Sequence, residues 1–175
     1  MVAFPTETYY GLGVQALDEA ALGRLLRVKA REPKKPIPLL VADRAMLERV
    51  ARVPAPAEPL IERFWPGPLT LVLPAVPGLP AQLCNDLGEV GVRISSHPLA
   101  RGLVERLGAP LTATSANAAG GEPARTAARV REQLGDVAVL DGGETPGGPP
   151  STVVRFEQGR PVVLRQGAVQ VPWPR

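Results

Sequence analysis

Proline and glycine interrupt this chain so often that no regular element can run far. The 21 prolines and 18 glycines are spread over 175 residues without a repeat. Proline removes a backbone donor and fixes φ, and glycine loosens the backbone, so each punctuates helix or strand. The spacing predicts stiff turns between short elements rather than a low-complexity tract. Helical patterns fall over about Glu19–Lys29 behind Asp18, from Asp43 through Val50, over Leu60–Trp65, from His97-Pro98 through Leu107 with Gly108 at the end, and from Thr126 to Leu134 with Gly135 as the stop. Strand patterns fall at Met1–Phe4, Pro38–Ala42, Leu69–Leu73, Val90–Ile94, Leu111–Ala113 and Val137–Leu140, with a closing hairpin, Ser151–Phe156 and Pro161–Arg165. Pro5–Gly13 reads as a polar turn closed by glycines, and Asp141–Pro150 as a Gly/Pro loop. Strands and helices alternate along the chain. The fold class that follows is α/β, one domain over residues 1–175 with a mixed, twisted β-sheet flanked by helices.

Apolar residues make up 45% of the chain, enough for a real core at this length. A net charge of +3 is a mild bias towards anionic ligands, and no run of basic residues interleaved with aromatics marks a nucleic-acid surface. One cysteine, Cys84, excludes an internal disulfide framework, and one histidine beside it excludes the usual structural zinc site. No stretch reaches the ~18 apolar residues of a membrane-spanning helix, and no signal peptide is visible. A cytoplasmic protein is expected.

No catalytic triad is credible. His97 belongs to a helix start, Cys84 has no basic partner near it in sequence, and no phosphate loop of the Gly-x-x-x-x-Gly-Lys-Ser/Thr type occurs. The chemistry-bearing stretch is Pro110-Leu-Thr-Ala-Thr-Ser-Ala-Asn-Ala-Ala-Gly-Gly121, a short apolar strand running into hydroxyls, an amide and two glycines. Such a loop grips a ligand through hydrogen bonds and backbone N–H groups. Lys29, Arg31, Lys35, Arg93 and Arg165 are candidate anion ligands, and Thr8, Ser115, Asn117, Ser151 and Thr152 candidate hydrogen-bonding groups. Arg93 stands out, since an arginine inside an apolar strand must find a partner or a ligand. The set suits positioning and charge neutralisation of a polyanion without a covalent protein intermediate.

Six segments occur here in one order: Pro5-Thr-Glu-Thr-Tyr-Tyr-Gly-Leu-Gly13, Lys29-Ala-Arg31, Trp65-Pro-Gly-Pro-Leu-Thr70, Val90-Gly-Val-Arg-Ile94, Thr114-Ser-Ala-Asn117 and Pro150-Ser-Thr-Val153. In this order the chain resembles the YrdC-like threonylcarbamoyl-AMP synthases, in their short form, over nearly its whole length. The resemblance implies a mixed α/β sheet with a basic concave cavity. It implies an enzyme, a nucleotidyltransferase that joins L-threonine, bicarbonate or CO2, and ATP into threonylcarbamoyl-AMP, releasing pyrophosphate. It implies partner proteins that transfer the threonylcarbamoyl group to ANN-decoding tRNAs, with tRNA itself a candidate contact, no membrane, and Mg2+ carried by the phosphates rather than by protein ligands. By position, Lys29 and Arg31 would be catalytic. Thr8, Arg93, Ala113 and Ser151 would hold threonine. Arg31, Lys35, Glu89, Ser115, Asn117, Pro123 and Arg165 would meet ATP. A non-catalytic RNA- or nucleotide-binding relative of the same fold is the alternative.

The chain departs from the family pattern in places. Only four residues precede the Pro-Thr-Glu-Thr motif, so a helix and a strand start are expected to be missing there. Tyr9 replaces a small apolar residue, Glu32 a proline after Arg31, and Ser95 a proline after the Val-Arg-Ile strand. None removes a charge that the implied reaction needs, and Arg31→Ala or Arg93→Ala is expected to abolish synthesis with the fold intact.

Overall fold

The computed structural model describes residues 1–29 and 36–172. Among these described residues, ten short strands and five α-helices alternate. The first sheet is built on β1 (Val2–Pro5) and β2 (Tyr10–Gly13), antiparallel with Ala3 opposite Leu12. Strand β8 (Ala138–Val139) lies parallel to β1 on one side, and β7 (Thr114–Ser115) antiparallel to β2 on the other. The second sheet runs β10 (Arg160–Arg165), β9 (Thr152–Glu157), β4 (Leu69–Pro74), β5 (Glu89–Arg93), β3 (Leu39–Leu40), β6 (Leu111–Thr112). Parallel pairs (β3 with β5, β4 with β9) and antiparallel pairs alternate within it, so the architecture is the mixed α/β one expected.

The two sheets share a seam at residues 111–115. Thr112 pairs with Leu39 in β3, yet its N–H donates to Val14 O (2.9 Å) and its hydroxyl accepts from Val14 N (2.9 Å) on the far side. One residue on, Ala113 N donates to Pro38 O (2.8 Å), and the chain then enters β7 against β2.

Period-two burial decides the faces. Leu69, Leu71 and Leu73 of β4, with Val90 and Val92 of β5, are fully buried. Each such leucine contributes roughly 1.5–3 kcal/mol relative to exposure. The intervening Thr70 and Arg93 therefore point together to the opposite face.

Helices α1 (Glu19–Lys29), α2 (Arg44–Glu48), α3 (Glu58–Phe64), α4 (Pro98–Leu107) and α5 (Ala127–Leu134) start where local chemistry says they should. Asp18 accepts from Ala21 N, Asp43 from Met46 N, and Thr126 from Arg129 N. Gly108 ends α4 at φ 63.

The Pro5–Gly13 segment departs from its sequence reading. Its second half is strand β2, with all four residues buried. The glycines there are a packing demand rather than a turn. A Cβ at Gly13 would lie 2.3 Å from Thr112 O, and one at Gly11 would lie 3.0 Å from the Phe4 ring. The Pro54–Pro59 stretch is likewise no mere link, since it holds a 3-10 turn (Ala55–Ala57) and the start of α3. Strands β3 and β8 are shorter than the apolar runs that announced them.

Candidate active site

A cavity of about 490 Å3 opens at the seam, within the size range of small-molecule sites. From the first sheet and its entry turn it takes Thr6, Thr8 and Tyr9. From the second it takes Leu40, Thr70, Arg93, Ser151 and Arg165, and from the seam itself Ala113 to Ser115, with Pro123 closing one side.

Thr8 is set by a hydroxyl turn. Thr6 Oγ1 donates to Tyr9 O (2.7 Å) and accepts from Thr8 N (3.2 Å), which turns Thr8 into the cavity. Ser151 precedes β9, and its Oγ lies 3.0 Å from Thr70 Oγ1, the register neighbour of Val153. Arg165, at the end of β10, donates from Nη2 to Ser151 O (2.9 Å) and Ser151 Oγ (3.1 Å). Burial lowers the pKa of Arg165. Burial also lowers that of Arg93, with the nearby Glu7 opposing and the Arg165 charge adding to the fall. Arginine remains charged under either pressure, so two guanidiniums stand close enough to feel each other at one end of the cavity.

Arg93 finds the partner that its place in an apolar strand required. Its Nη1 donates to Glu7 Oε1, an ion pair whose side chains are 10% and 13% exposed. The second oxygen of Glu7 accepts from Ser95 Oγ. Neither Glu7 nor Ser95 lines the cavity. Sequence reasoning gave neither a role, although Glu7 sits between two threonines in the motif and a buried arginine demands a carboxylate. Tyr9 and Thr70 were also missed. The Tyr9 hydroxyl donates to Gly148 O (2.8 Å) and so ties the Asp141–Pro150 loop to the entry turn.

The remaining sequence candidates are placed as follows. Ser115 and Pro123 line the cavity, but Asn117 does not. Asn117 organises the loop instead, its Nδ2 donating to Gly121 O (2.5 Å). Lys29, at the end of α1, donates to Ser115 O (3.0 Å), Asn117 O (2.7 Å) and Asn117 Oδ1 (3.1 Å), so its ammonium fastens the hydroxyl-rich loop to the helix. Glu89 lies at the far end of β5 from Arg93, where its carboxylate accepts from Asn85 Nδ2 (2.8 Å). It is not among the cavity's lining residues. Arg31 and Lys35 lie outside the described residues.

Cys84 is half-buried, its thiol pushed up in pKa by burial, and it is not among the lining residues. His97 caps α4 through Nδ1, which accepts from Leu99 N (3.3 Å). Among the described residues no three His, Cys, Asp or Glu side chains cluster as a metal cage would need. The lining offers cations, hydroxyls and backbone groups, a donor set for carboxylate and phosphate oxygens.

Fold and cavity together define an α/β protein with an anion-receptive pocket where two mixed sheets meet. The chain belongs to the Sua5/YciO/YrdC family, whose model, described as "Telomere recombination", matches residues 1–167. It is 42% identical over 172 residues to the threonylcarbamoyl-AMP synthase of Pyrococcus abyssi, covering 97% of this chain and 51% of that protein. It is 40% identical over 174 residues to the threonylcarbamoyl-AMP synthase of Bacillus subtilis, covering 97% and 50%. Among solved structures it superposes on P. abyssi Sua5 complexed with L-threonine with a TM-score of 0.89, 43% identical, over 95% of this chain and 50% of that one. The chain thus spans about half the length of these relatives.

Proposed function

We propose that this cavity makes threonylcarbamoyl-AMP from L-threonine, bicarbonate or CO2, and ATP. The observation that carries the reading is the convergence of Arg93 and Arg165 with the hydroxyls of Thr8 and Ser151 in one hollow. The family membership and the printed names of the relatives support it. The threonine carboxylate pairs with the guanidinium of Arg93, which offers the planar fork such a group prefers. Thr8, Ser151 and the backbone of Ala113 take the rest of the amino acid. The nucleotide lies along Ser115, Pro123 and Arg165, with Arg31 and Lys35 meeting its phosphates and Lys29 holding the loop of Ser115 and Asn117.

The reaction has two steps. The threonine amine adds to CO2, losing a proton, to give N-carboxythreonine. A carbamate oxygen then attacks the α-phosphorus of ATP, the bond from that phosphorus to the α,β-bridging oxygen breaks, and pyrophosphate leaves. The protein's part is orientation, exclusion of water from a labile adduct, and fixed positive charge near the leaving group. Magnesium would come with the nucleotide's own phosphates, which supply its oxygens, and among the described residues the lining offers no carboxylate cluster for it. The product serves threonylcarbamoyladenosine formation on ANN-decoding tRNAs in the cytoplasm, through transferase partners.

The test is to incubate the protein with ATP, bicarbonate and L-threonine, follow pyrophosphate, and weigh the product by mass spectrometry. Threonine-dependent pyrophosphate release with a threonylcarbamoyl-AMP mass is expected. Release indifferent to threonine, or none, overturns the reading.

A further inference from the structure

Behind Arg93 stands a relay that never reaches the cavity. His97 N donates to Ser95 Oγ (3.2 Å), Ser95 Oγ donates to one oxygen of Glu7, and the other oxygen of Glu7 accepts from Arg93 Nη1. Ser95 is 2% exposed, so its hydroxyl has no water to fall back on. Glu7 comes from the entry turn, between the cavity-lining Thr6 and Thr8, yet is absent from the lining itself. Both of its oxygens are engaged, so the carboxylate is fixed rather than swinging between partners. A guanidinium held along one edge by a fixed carboxylate keeps its other N–H groups in a set direction, and Arg93 does line the cavity. Glu7 also balances one of the two guanidinium charges at this end, leaving a net single positive charge for a ligand.

We infer that Ser95 and Glu7 are positioning residues for Arg93, holding its guanidinium in the orientation a substrate carboxylate requires, and so set affinity for the amino-acid substrate without touching it. This rests on the reading above, in which Arg93 pairs with the carboxylate of threonine. Ser95 is the cleaner lever, because Ser95→Ala frees Glu7 without altering any charge, whereas Glu7→Gln also leaves two guanidiniums uncompensated.

The test is calorimetric titration of the intact protein with L-threonine and, separately, with ATP. Ser95→Ala is expected to weaken threonine binding by about tenfold or more, the usual effect of losing a hydrogen bond to a charged group, and to shift ATP affinity by less than about twofold. Glu7→Asp, one methylene shorter and unable to span both partners, is expected to give the same split. In the Glu7→Gln background, adding Ser95→Ala is expected to change threonine affinity by less than about twofold, since the relay is already cut. Equal threonine affinity in Ser95→Ala and the unaltered protein, parallel losses for threonine and ATP, or fully additive effects in the double variant would overturn the inference alone. If Ser95→Ala does not fold, Glu7→Asp decides by the same criteria. Absence of threonine binding by the unaltered protein would instead overturn the functional reading, and the inference with it.

Discussion

At the scale of single residues, the buried ion pair decides which substitutions are informative. Arg93→Ala reads, from sequence, as a mutation that silences the site and spares the fold. The structure changes that expectation, because it would strand Glu7, whose side chain is only 13% exposed, without its counter-ion. Breaking a buried pair from one side costs about 3–5 kcal/mol, a large share of a small domain's stability. Arg93→Lys keeps the charge but replaces a five-donor fork by a point charge that cannot serve Glu7 and a bidentate carboxylate together. A folded protein with threonine-dependent pyrophosphate release down by about tenfold or more is expected for Arg93→Lys, measured alongside thermal melting. Unchanged release would remove Arg93 from the site.

His97 makes a second prediction at this scale, and the chain's only histidine makes it attributable. Burial lowers its pKa from 6.5, with Glu7 partly opposing. Its Nδ1 is an acceptor at the start of α4, a role that protonation ends. The unfolded chain therefore takes up the proton first as pH falls, so stability is fully present above 6.5 and declines as pH drops through the folded value. His97→Asn keeps a capping acceptor without a titration. Its melting temperature is expected to fall less than that of the unaltered protein between about pH 7 and about pH 5. Parallel slopes would show that His97 does not report on folding.

At the scale of elements, what could be read from sequence was what neighbours in sequence determine. The caps at Asp18, Asp43 and Thr126, and the stop at Gly108, act within one turn of their own positions, so their residue types announce them. Strand β2 was hidden because its glycines answer to Phe4 and Thr112 rather than to a local turn. The site divides the same way. Arg93 was legible from its own strand, while its dependence on Glu7 spans 86 positions and that of Ser151 on Thr70 spans 81. Gly167 shows how an element far from the ligand can govern it. A Cβ there would lie 2.1 Å from Pro150 O and 2.6 Å from Ser151 C and Thr152 N, all backbone. Backbone cannot swing aside as a side-chain tip does, so Gly167→Ala must push the Ser151 segment away from Thr70 and Arg165. Weaker threonine binding together with a lower melting temperature is the expected result, read by calorimetry and thermal denaturation. Unaltered binding would mean that the segment bends without moving Ser151.

The whole molecule is two sheets that share one strand passage, and the cavity straddles the join. Thr6, Thr8, Tyr9, Tyr10 and Gly11 reach it from one sheet and its entry turn, while Thr70, Arg93 and Arg165 reach it from the other. Neither sheet alone can present the site, so site and fold should be lost together. The join itself rests on few bonds, and the fully buried Thr112 makes several of them. Its backbone pairs with Leu39 on one side and donates to Val14 on the other, and its hydroxyl accepts from Val14 N. Thr112→Val keeps the shape and removes only that hydroxyl, leaving the Val14 N–H buried without an acceptor. The cost of such an orphan is about 1–3 kcal/mol. If the sheets form one cooperative unit, that loss shifts the whole denaturation curve, and threonine binding and far-ultraviolet dichroism fall at the same denaturant concentration. Binding lost well before the bulk secondary structure would mean that the sheets unfold separately and that the seam is a hinge rather than a joint.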